Sequence, residues 1–440
     1  MFVMTLIFFL YQIIQLISFP FFLIYLLIRK LKGKIIVGNF KQRLGFVPKT
    51  NTNPNQKVIW FHAVSVGEIL SIQNLIKKIK QTNPNFLIYV TTGTKTGKLM
   101  AKQHLDADFI SFLPFDFLFS IFLLYKRIQP KCLIIVEAEF WPNLLFMSII
   151  KKIPCYLINA RITKRSEKKY LKFKIYFKPL INIFSQIYAQ SNLDADRFEK
   201  IGISKNKLII LGDIKSYNVF EKQKNLISSP DKRLFTNNFQ SKITLLAGCI
   251  HPQEDIIYLN LFKKLKKNFK NITLILAPRH FTWQETLISN VKASGLSYKT
   301  WSLSDEINNE TISESESYDV IIILKLGILF QLYPLTKIFF LGGTFIPVGG
   351  HNLLEAAAWG IPSFVGPYHQ NCIETFKQLH KVKGSDLVQN EIELFNKTNL
   401  LLADPQKILE MGNNAKNWLS SEAAHVEFGV NSLIKKLNKL

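Results

Sequence analysis

The chain has 440 residues, of which 48% are hydrophobic and 13% aromatic, a composition that excludes a disordered polypeptide and leaves room for two packed domains. Lys and Arg number 56 against 31 Asp and Glu, giving a formal net charge of +25 that favours an anionic partner such as an acidic membrane surface or a phosphorylated substrate. Because lysine is frequent throughout the chain, this charge does not by itself indicate nucleic-acid binding, and we expect none.

The spacing of the cysteines and histidines argues against a metal site. Four scattered cysteines form no CxxC pair, which indicates a reduced, cytosolic catalytic portion without structural zinc. The eight histidines show no HExxH or other paired-ligand spacing. We therefore expect neither a catalytic metal nor another cofactor.

The first predicted element is an amino-terminal membrane anchor. Residues 2–28 carry no charged side chain, and about 20 apolar residues suffice to span a bilayer. No small-residue cleavage site follows a short apolar core, which argues against a removable signal peptide. The basic residues that come next place the following chain in the cytoplasm; they are Arg29, Lys30, Lys32 and Lys34. Residues 1–34 are predicted to be the anchor and its basic flank.

Two alternatives to a spanning helix stay open. Pro20 and the glutamines Gln12 and Gln15 are compatible with a shallower, interfacial helix. A buried hairpin is the other alternative.

Residues 35–220 repeat one pattern, in which a short apolar run is followed by a turn and a helical stretch. Runs that are apolar on both faces predict a parallel sheet wrapped by helices, a doubly wound α/β domain. The predicted strands are residues 58–64, 86–92, 109–115, 132–140, 155–161 and 186–191. Ligands bind at the carboxyl ends of such strands.

Glu68 lies where the first of these strands gives way to a helix, in the stretch FHAVSVGEILS (61–71). A carboxylate in the first turn of a helix is stabilised by the unpaired N–H groups and the helix dipole, by roughly 0.3–1 kcal/mol. The alternative is a general base held at the end of the strand and facing a crevice. The local pattern does not decide between the two.

Further charged residues follow later strands of this domain. In IIVEAEFWPNL (134–144), a period of 2 puts Glu137 and Glu139 on one face. Burying both charges is costly, so at least one should face solvent, a cation or a substrate, unless they are a surface pair. Lys215 comes just past another strand and is unremarkable by itself.

An aromatic and basic segment occupies residues 161–179. Tyr170, Phe173 and Phe177 fall on one helical face among lysines and arginines. This pattern fits either an apolar stripe in the core or a helix that faces the membrane.

A polar segment with a proline, residues 221–241, predicts a linker, and residues 242–440 predict a second doubly wound domain. Its predicted strands are residues 243–249, 272–278, 320–324, 338–343 and 362–367. Residues 303–317 are acidic and serine-rich and predict a solvated loop. Two such domains in tandem predict a ligand-binding cleft.

The segment GGTFIPVGGHNLLEAAAWGIPSFVGP (342–367) carries the clearest ligand signal. Two glycines precede a short predicted helix from about Asn352 to Trp359, and exposed N–H groups at such a helix start form an anion site. The functional interpretation puts a phosphate on the helix start and a ribose against Glu355. The alternative is a capping box, with Asn352 as N-cap and Glu355 reaching back.

Another strand of the second domain ends in Pro278, Arg279 and His280. An arginine at a strand end can pair bidentately with a phosphate. As a lone residue it is more often part of a surface ion pair.

Taken together, these segments resemble the 3-deoxy-D-manno-octulosonic acid (Kdo) transferases of lipopolysaccharide biosynthesis. The resemblance covers nearly the whole chain and rests on residues 62–68, 90–97, 136–144, 159–166, 276–280 and 350–362. It implies a two-domain glycosyltransferase fold of the GT-B type that needs no metal. It also implies transfer of Kdo from CMP-Kdo to a lipid A precursor (lipid IVA) at the cytoplasmic face of the inner membrane, without nucleic acid.

The resemblance also implies roles for individual residues. Glu68 is the general base, and Glu137 and Lys215 stabilise the transition state. The implied CMP contacts are Pro278, Arg279, Leu326, Gly327, Ile328, Asn352, Leu353, Leu354 and Glu355. Many relatives carry an acidic residue where Ile328 stands, so a backbone contact is expected there rather than a side-chain contact.

A direct displacement on the Kdo carbon, with Glu68 taking the proton of the attacking hydroxyl, implies inversion of the anomeric centre. Two competing functions remain. One is a membrane glycosyltransferase of the same fold that uses a UDP-sugar and a lipid acceptor, and the other is a non-enzymatic basic membrane adaptor.

Overall fold

The computed structural model describes residues 2–31, 39–228, 243–302 and 318–440. Lys32 and Lys34 of the predicted basic flank, most of the predicted linker and the predicted loop at 303–317 lie outside the described residues. The described chain forms two compact units, Met1–Asn218 with Ala423–Leu440 as unit 1, and Val219–Glu422 as unit 2.

Unit 1 is built on a seven-stranded parallel sheet with the order β3-β2-β1-β4-β5-β6-β7. Its strands are β1 (Lys57–His62), β2 (Phe86–Thr92), β3 (Phe109–Phe112), β4 (Cys132–Val136), β5 (Cys155–Ala160), β6 (Gln186–Ala189) and β7 (Leu208–Ile210). The order reverses between β1 and β4, and this switch point is where doubly wound sheets bind ligands. The site residues that follow β1 and β4 therefore flank one crevice.

Helices cover both faces of this sheet, so its central strands are buried on both sides. The helices between residues 2 and 227 are α1 (Phe2–Leu31), α2 (Phe40–Arg43), α3 (Val66–Ser71), α4 (Gln73–Thr82), α5 (Lys95–His104), α6 (Leu118–Ile128), α7 (Pro142–Ile150), α8 (Lys164–Lys172), α9 (Lys174–Ile181), α10 (Asn192–Ile201) and α11 (Ile214–Ile227), of which α11 continues into unit 2. A 3₁₀ turn spans Lys205–Lys207.

Helix α1 contains a stretch, Met4–Ile28, that is long and apolar enough to cross a membrane. Its polar side chains contact unit 1: the Tyr11 hydroxyl donates to Asp116 over 3.0 Å, and the Gln12 amide donates to Asn143 over 2.6 Å. The Asn143 amide in turn donates to Gln15 over 3.0 Å. Gln12 and Gln15, which made a shallower helix possible, therefore bind α1 to the rest of unit 1. The hairpin alternative is wrong, since the segment is one helix.

Unit 2 repeats the architecture with a second seven-stranded parallel sheet, ordered β10-β11-β9-β8-β12-β13-β14. Its strands are β8 (Ile243–Ile250), β9 (Ile272–Pro278), β10 (Tyr298–Trp301), β11 (Val320–Ile323), β12 (Ile338–Leu341), β13 (Ser363–Val365) and β14 (Ser385–Leu387). Its switch point lies between β8 and β12.

The helices after β8 are α12 (Glu254–Asn268), α13 (Gln284–Ala293), α14 (Leu329–Leu332), α15 (Leu354–Ala358), α16 (Ile373–Lys381), α17 (Glu391–Ala403) and α18 (Pro405–Leu437). Two 3₁₀ turns span Phe281–Trp283 and Tyr333–Leu335. Helix α18 packs Ala415 and Leu419 into the core of unit 2, whereas Val430 and Leu433 near its end pack into the core of unit 1.

The predicted fold class is confirmed, and each predicted apolar run contains a strand. The structure adds β7, β10 and β14, which are short and less completely buried. The domain bounds differ from the prediction, because α11 runs through residues 221–227 of the predicted linker and residues 423–440 belong to unit 1. The single helix expected at 161–179 is wrong: it breaks at Phe173, which is 49% exposed, while Tyr170 and Phe177 pack on the core.

Candidate active site

Glu68 is fixed at the carboxyl end of β1 by a capping box at the start of α3. Its carboxylate accepts hydrogen bonds from the Val64 N–H (2.7 Å) and the Ser65 N–H (3.3 Å), and its own N–H donates to Ser65 Oγ (3.3 Å). The interpretation of Glu68 as a first-turn carboxylate that binds unpaired N–H groups is therefore correct as structure. It does not exclude a base, because an ionised carboxylate has about four lone-pair positions and the box uses two.

The Glu68 carboxylate is buried, so it is held in one orientation and is not a mobile surface charge. Glu68 is only 7% exposed, and its position follows the strand next to the switch point. A carboxylate held by two backbone donors keeps one orientation, which a proton acceptor needs.

Two further glutamates follow β4 on the other side of the switch point. Glu137 adopts a left-handed backbone conformation with φ of +61°, which is uncommon for a residue with a side chain and often marks a functional site. Its N–H donates to the Ile158 carbonyl (2.9 Å), so the adjacent strand holds this conformation.

The carboxylates of Glu68, Glu137 and Glu139 interact electrostatically. Burial raises the pKa of Glu139 to about 7, and the nearby charges of Glu68 and Glu137 contribute to this rise, against a hydrogen bond from Trp141. Burial and the Glu68 charge also raise the pKa of Glu137, while Lys215 and Arg161 lower it. The prediction was that at least one of the two would face solvent, a cation or a substrate, and Glu137 has the cations Lys215 and Arg161 near it.

Lys215 is the second residue of α11, and its side chain is exposed. Its N–H donates to Asp213 Oδ1 over 3.0 Å. Unit 1 thus brings together Glu68, Glu137 and Lys215, the three catalytic residues that the resemblance implies. Arg161 was not singled out from the sequence, although it lies in the matching segment 159–166.

Asn159 is a neighbouring residue that the sequence analysis missed. It lies near the end of β5, is 1% exposed and has a φ of +50°. Its Oδ1 accepts from Gln190 over 3.4 Å, but its Nδ2 has no hydrogen-bond partner among the described residues. A buried amide donor without a partner is rare.

In unit 2, the predicted nucleotide residues follow β9, β11 and β12. Pro278 ends β9 and is buried, and Arg279 is exposed, with its N–H donating to the Ile250 carbonyl (3.0 Å). Leu326 is 65% exposed and Gly327 has a φ of +86°. Ile328 is 3% exposed and packs in the core, so its side chain is directed away from any ligand at this edge.

The glycine-rich segment forms a tight loop. The N–H groups of Gly349 and Gly350 both donate to the Gly343 carbonyl, over 3.0 and 2.8 Å, with φ values of +105° and +76°. Glu254 holds the other side of the loop: this fully buried carboxylate accepts from the N–H groups of Gly343 (2.7 Å) and Thr344 (3.0 Å). From sequence Glu254 looks like an ordinary first-turn acid, so it was missed.

The predicted helix after this loop is shorter than expected. It begins at Leu354, next to buried Leu353, and ends at Ala358. Asn352 Oδ1 accepts from the Leu354 N–H over 3.0 Å, but the N-cap is Leu353, which makes no side-chain cap hydrogen bond, so the expected capping box does not form. Glu355 instead lies 3.5 Å from Lys222 Nζ.

A histidine cluster beside Arg279 was also missed. His251 Nε2 lies 3.0 Å from His351 Nε2 with the rings parallel, and the His280 ring stands edge-on to His251. Burial, followed by His251, Arg279 and His280, lowers the pKa of His351 to about 4. An anion bound here would relieve this repulsion. The described residues contain no group of three or more His, Cys, Asp or Glu placed to hold a metal ion.

Two doubly wound domains, each built on a parallel seven-stranded sheet and each with candidate site residues at its switch point, define a glycosyltransferase fold of the GT-B type. The family model of 3-deoxy-D-manno-octulosonic-acid transferase (kdotransferase) matches residues 38–218. The chain is 32% identical to the 3-deoxy-D-manno-octulosonic acid transferase of Haemophilus influenzae over 377 residues, which is 86% of each chain. It is 31% identical to that of Aquifex aeolicus over 363 residues, or 82% of this chain and 91% of that one.

The chain belongs to the 3-deoxy-D-manno-octulosonic acid transferase family, as the resemblance predicted. It is therefore an enzyme, a Kdo-transferring glycosyltransferase of lipopolysaccharide biosynthesis. A solved UDP-GlcNAc 2-epimerase from Neisseria meningitidis, bound to UDP-GlcNAc, covers 86% of this chain and 100% of its own, with a TM-score of 0.58 and 15% identity. This likeness shows the fold alone.

Proposed function

We propose that the chain transfers Kdo from CMP-Kdo to a lipid A precursor, lipid IVA, with inversion at the anomeric carbon and without a metal ion. The observation that carries the proposal is the Glu68 carboxylate, held by two backbone N–H groups at the switch point of unit 1. An adaptor protein would not need a buried carboxylate there.

Glu68 is the proposed base. It takes the proton from an acceptor hydroxyl while that oxygen attacks the Kdo carbon, and the bond from this carbon to the CMP phosphate oxygen breaks with its electron pair leaving on CMP. The nucleophile and the leaving group lie on opposite faces, so one displacement inverts the centre. Glu137 and Lys215 are proposed to stabilise the charges that develop.

The donor is proposed to bind unit 2. Arg279 supplies a charged donor for the CMP phosphate, and the neighbouring histidines supply further N–H groups. Glu355 is proposed to contact the ribose, with backbone from Pro278, residues 326–328 and residues 352–354 completing the nucleotide site. The Leu354 N–H is already bonded to Asn352, so we assign the main anion-binding role to Arg279 rather than to the helix start.

Membrane attachment is proposed at the cytoplasmic face of the inner membrane, through α1 and the surface beside it. Phe119, Ile150 and Ile175 are 66%, 54% and 78% exposed on α6, α7 and α9, and α1 packs against the latter two helices. Deleting residues 1–28 should release much of the protein from the membrane. The remainder is held by charges on its basic surface, so high salt, which screens these charges, should remove it. Full, salt-resistant attachment of the truncated protein would contradict this assignment.

The decisive experiment incubates the full-length protein in detergent with CMP-Kdo and a tetra-acylated lipid A precursor, followed by mass spectrometry of the lipid. We expect Kdo-modified precursor, at the same rate when a chelator is present. Parallel reactions with UDP-sugars test the donor. Transfer from a UDP-sugar but not from CMP-Kdo, or a rate that collapses with chelator and recovers with a divalent ion, would overturn the proposal.

A further inference from the structure

Helix α1 contacts unit 1 near both ends of its apolar stretch. Towards its amino end, the Phe8 ring stacks on the ring of Phe146 in α7, with ring centres 3.5 Å apart. Towards its carboxyl end, the Phe22 ring packs edge-on against Phe115, just before α6, with ring centres 5.0 Å apart. These two contacts are separated by about 21 Å of helix, at 1.5 Å per residue. The helix is therefore docked lengthwise on unit 1.

The polar side chains between these two contacts are directed towards unit 1. The Tyr11 hydroxyl donates to Asp116 Oδ2 over 3.0 Å, and the Gln15 amide donates to the Asp116 carbonyl over 2.7 Å. The Gln12 amide donates to Asn143 Oδ1 over 2.6 Å. Asp116 and Asn143 are both buried. Since a helix surrounded by acyl chains offers no partners for such groups, these hydrogen bonds favour the docked position.

The opposite side of α1 carries an apolar stripe. Its residues recur every three or four positions, which is the spacing of one helical face. They are exposed in the structure, Leu16 by 77%. The members of this outer stripe are Phe9, Ile13, Leu16, Pro20, Ile24, Leu27 and Leu31. A helix that is polar towards the protein and apolar on the other side is suited to lie between a protein and lipid.

A spanning orientation of α1 conflicts with the contacts at its two ends. The hydrocarbon core of a bilayer is about 30 Å thick, so α7 would have to enter it beside α1. Helix α7 has only 9 residues, or about 14 Å of length, and cannot cross the core. The exposed Lys151 and Lys152 follow it directly, and a charge in the core costs about 3 kcal/mol or more.

The neighbouring surface supplies basic residues that an anionic membrane attracts. Lys151 Nζ lies 5.4 Å from the centre of the Phe122 ring, which is 44% exposed on α6. Lys126, on the same helix, is also exposed. Lysine beside an exposed aromatic ring is typical of side chains at the level of the headgroups. Anionic headgroups thus fit the edge of this surface, as acyl chains fit the outer stripe.

We propose that α1 lies in the plane of the membrane surface, between unit 1 and the acyl chains of one leaflet, and does not cross the bilayer. Phospholipid covers the outer stripe, and both ends of α1 stay on the side that holds unit 1. The inference rests on the membrane attachment proposed above and is independent of the donor and the acceptor. It orients unit 1 with α7 and α9 towards the membrane and α4, on the other face of the sheet, away from it.

Spin labels at three positions of the outer stripe measure the orientation. Full-length Phe9→Cys, Leu16→Cys and Leu27→Cys proteins are labelled with a nitroxide and reconstituted with vesicles of phosphatidylethanolamine and phosphatidylglycerol. Power saturation with oxygen and with a polar nickel chelate gives the depth of each label. An in-plane helix should place all three labels at one depth, about 5–10 Å below the headgroups. A spanning helix would place the label at position 16 about 10 Å deeper than that at position 9 and about 16 Å deeper than that at position 27.

Two controls accompany these labels. Lys77→Cys places a nitroxide at an exposed position of α4, where the nickel chelate should reach it freely. Wild type, whose four cysteines are buried or half-buried, gives the background labelling. Because all four substituted positions are exposed, each variant should melt as wild type does.

The outcomes are distinct. Equal depths for the three labels, with the label at position 77 in water, support the proposal. A label at position 16 that lies about 10 Å deeper than the other two overturns it in favour of a spanning helix. Spin–spin broadening at position 16 with little access to oxygen would show that a second copy of the chain covers the outer stripe, and would also overturn it. If wild type does not bind the vesicles, the membrane attachment itself is wrong, whereas a failure of Kdo transfer leaves the label depths unchanged.

Discussion

Glu68→Gln separates the capping role of this residue, which the structure shows, from its proposed role as the base. The substituted amide keeps an oxygen that can accept from one of the two N–H groups of Val64 and Ser65, but its nitrogen opposes the other. Losing one cap hydrogen bond at a position that is 7% exposed should cost about 1–2 kcal/mol of unfolding free energy. A domain with about 5–15 kcal/mol of stability stays almost entirely folded after that loss.

The catalytic role predicts a much larger effect on rate. A general base contributes about 10²–10⁴ in turnover, equivalent to roughly 3–5 kcal/mol of activation free energy. An unfolded fraction of at most a few per cent cannot produce such a loss. Turnover in the Kdo-transfer assay should therefore fall by at least about a hundredfold, while the affinity for CMP-Kdo, proposed to bind unit 2, should be unchanged.

Ser65→Ala is the matched control, because it breaks the other half of the same capping box and leaves the carboxylate in place. It should lower the melting temperature about as much as Glu68→Gln and change turnover by less than about tenfold. Turnover, CMP-Kdo affinity and a melting curve should be measured on both variants. If Glu68→Gln transfers Kdo at the wild-type rate, or if both variants lose rate equally, the base assignment is wrong.

Three further substitutions test other parts of the molecule. Glu355→Ala should weaken CMP-Kdo binding with little change in melting temperature, since its ion pair with the exposed Lys222 is worth under about 1 kcal/mol; a lower melting point with unchanged affinity would favour a structural role. Burial raises the pKa of Asp116 to about 7, so its contribution to stability is present below pH 4 and is lost as the pH rises through 7. Asp116→Asn should therefore gain unfolding free energy relative to wild type between pH 4 and pH 8, by up to about 4 kcal/mol, and a pH-independent difference in denaturant titrations would contradict the pKa. Glu139→Gln should remove the inflection near pH 7 that we expect in the wild-type rate profile, and a profile that keeps it would show that another group titrates there.

The sequence predicted the central strands well, and the reason is burial. Strands such as β4 and β9 are apolar at nearly every position because helices cover both faces of the sheet, so they are recognisable without periodicity. The missed strands lie at or near sheet edges, where one side is free and the residues are mixed: β14 reads SDL and β10 reads YKTW. Their pairing depends on neighbours distant in sequence, which no local pattern encodes.

The site was predictable where a residue directly follows a strand. Glu68 and Glu137 were found because parallel strands present their carboxyl ends to one edge, and the switch point then brings β1 and β4 side by side. Glu254 and the histidine cluster could not be found in that way. Their partners lie 90 and 100 residues away along the chain, as Thr344 does for Glu254 and His351 for His251.

The close placement of three carboxylates in so basic a protein has a consequence for the chemistry. Burial and then the Glu68 charge raise the pKa of both Glu137 and Glu139, so the protonation of these two residues depends on the charge of Glu68. On the proposal that Glu68 is the base, its protonation removes one of the contributions that raise the pKa of Glu139, so Glu139 becomes more acidic. Lys215 and Arg161 act in the opposite direction on Glu137, because they lower its pKa, and this is why we propose that both cations belong to the site.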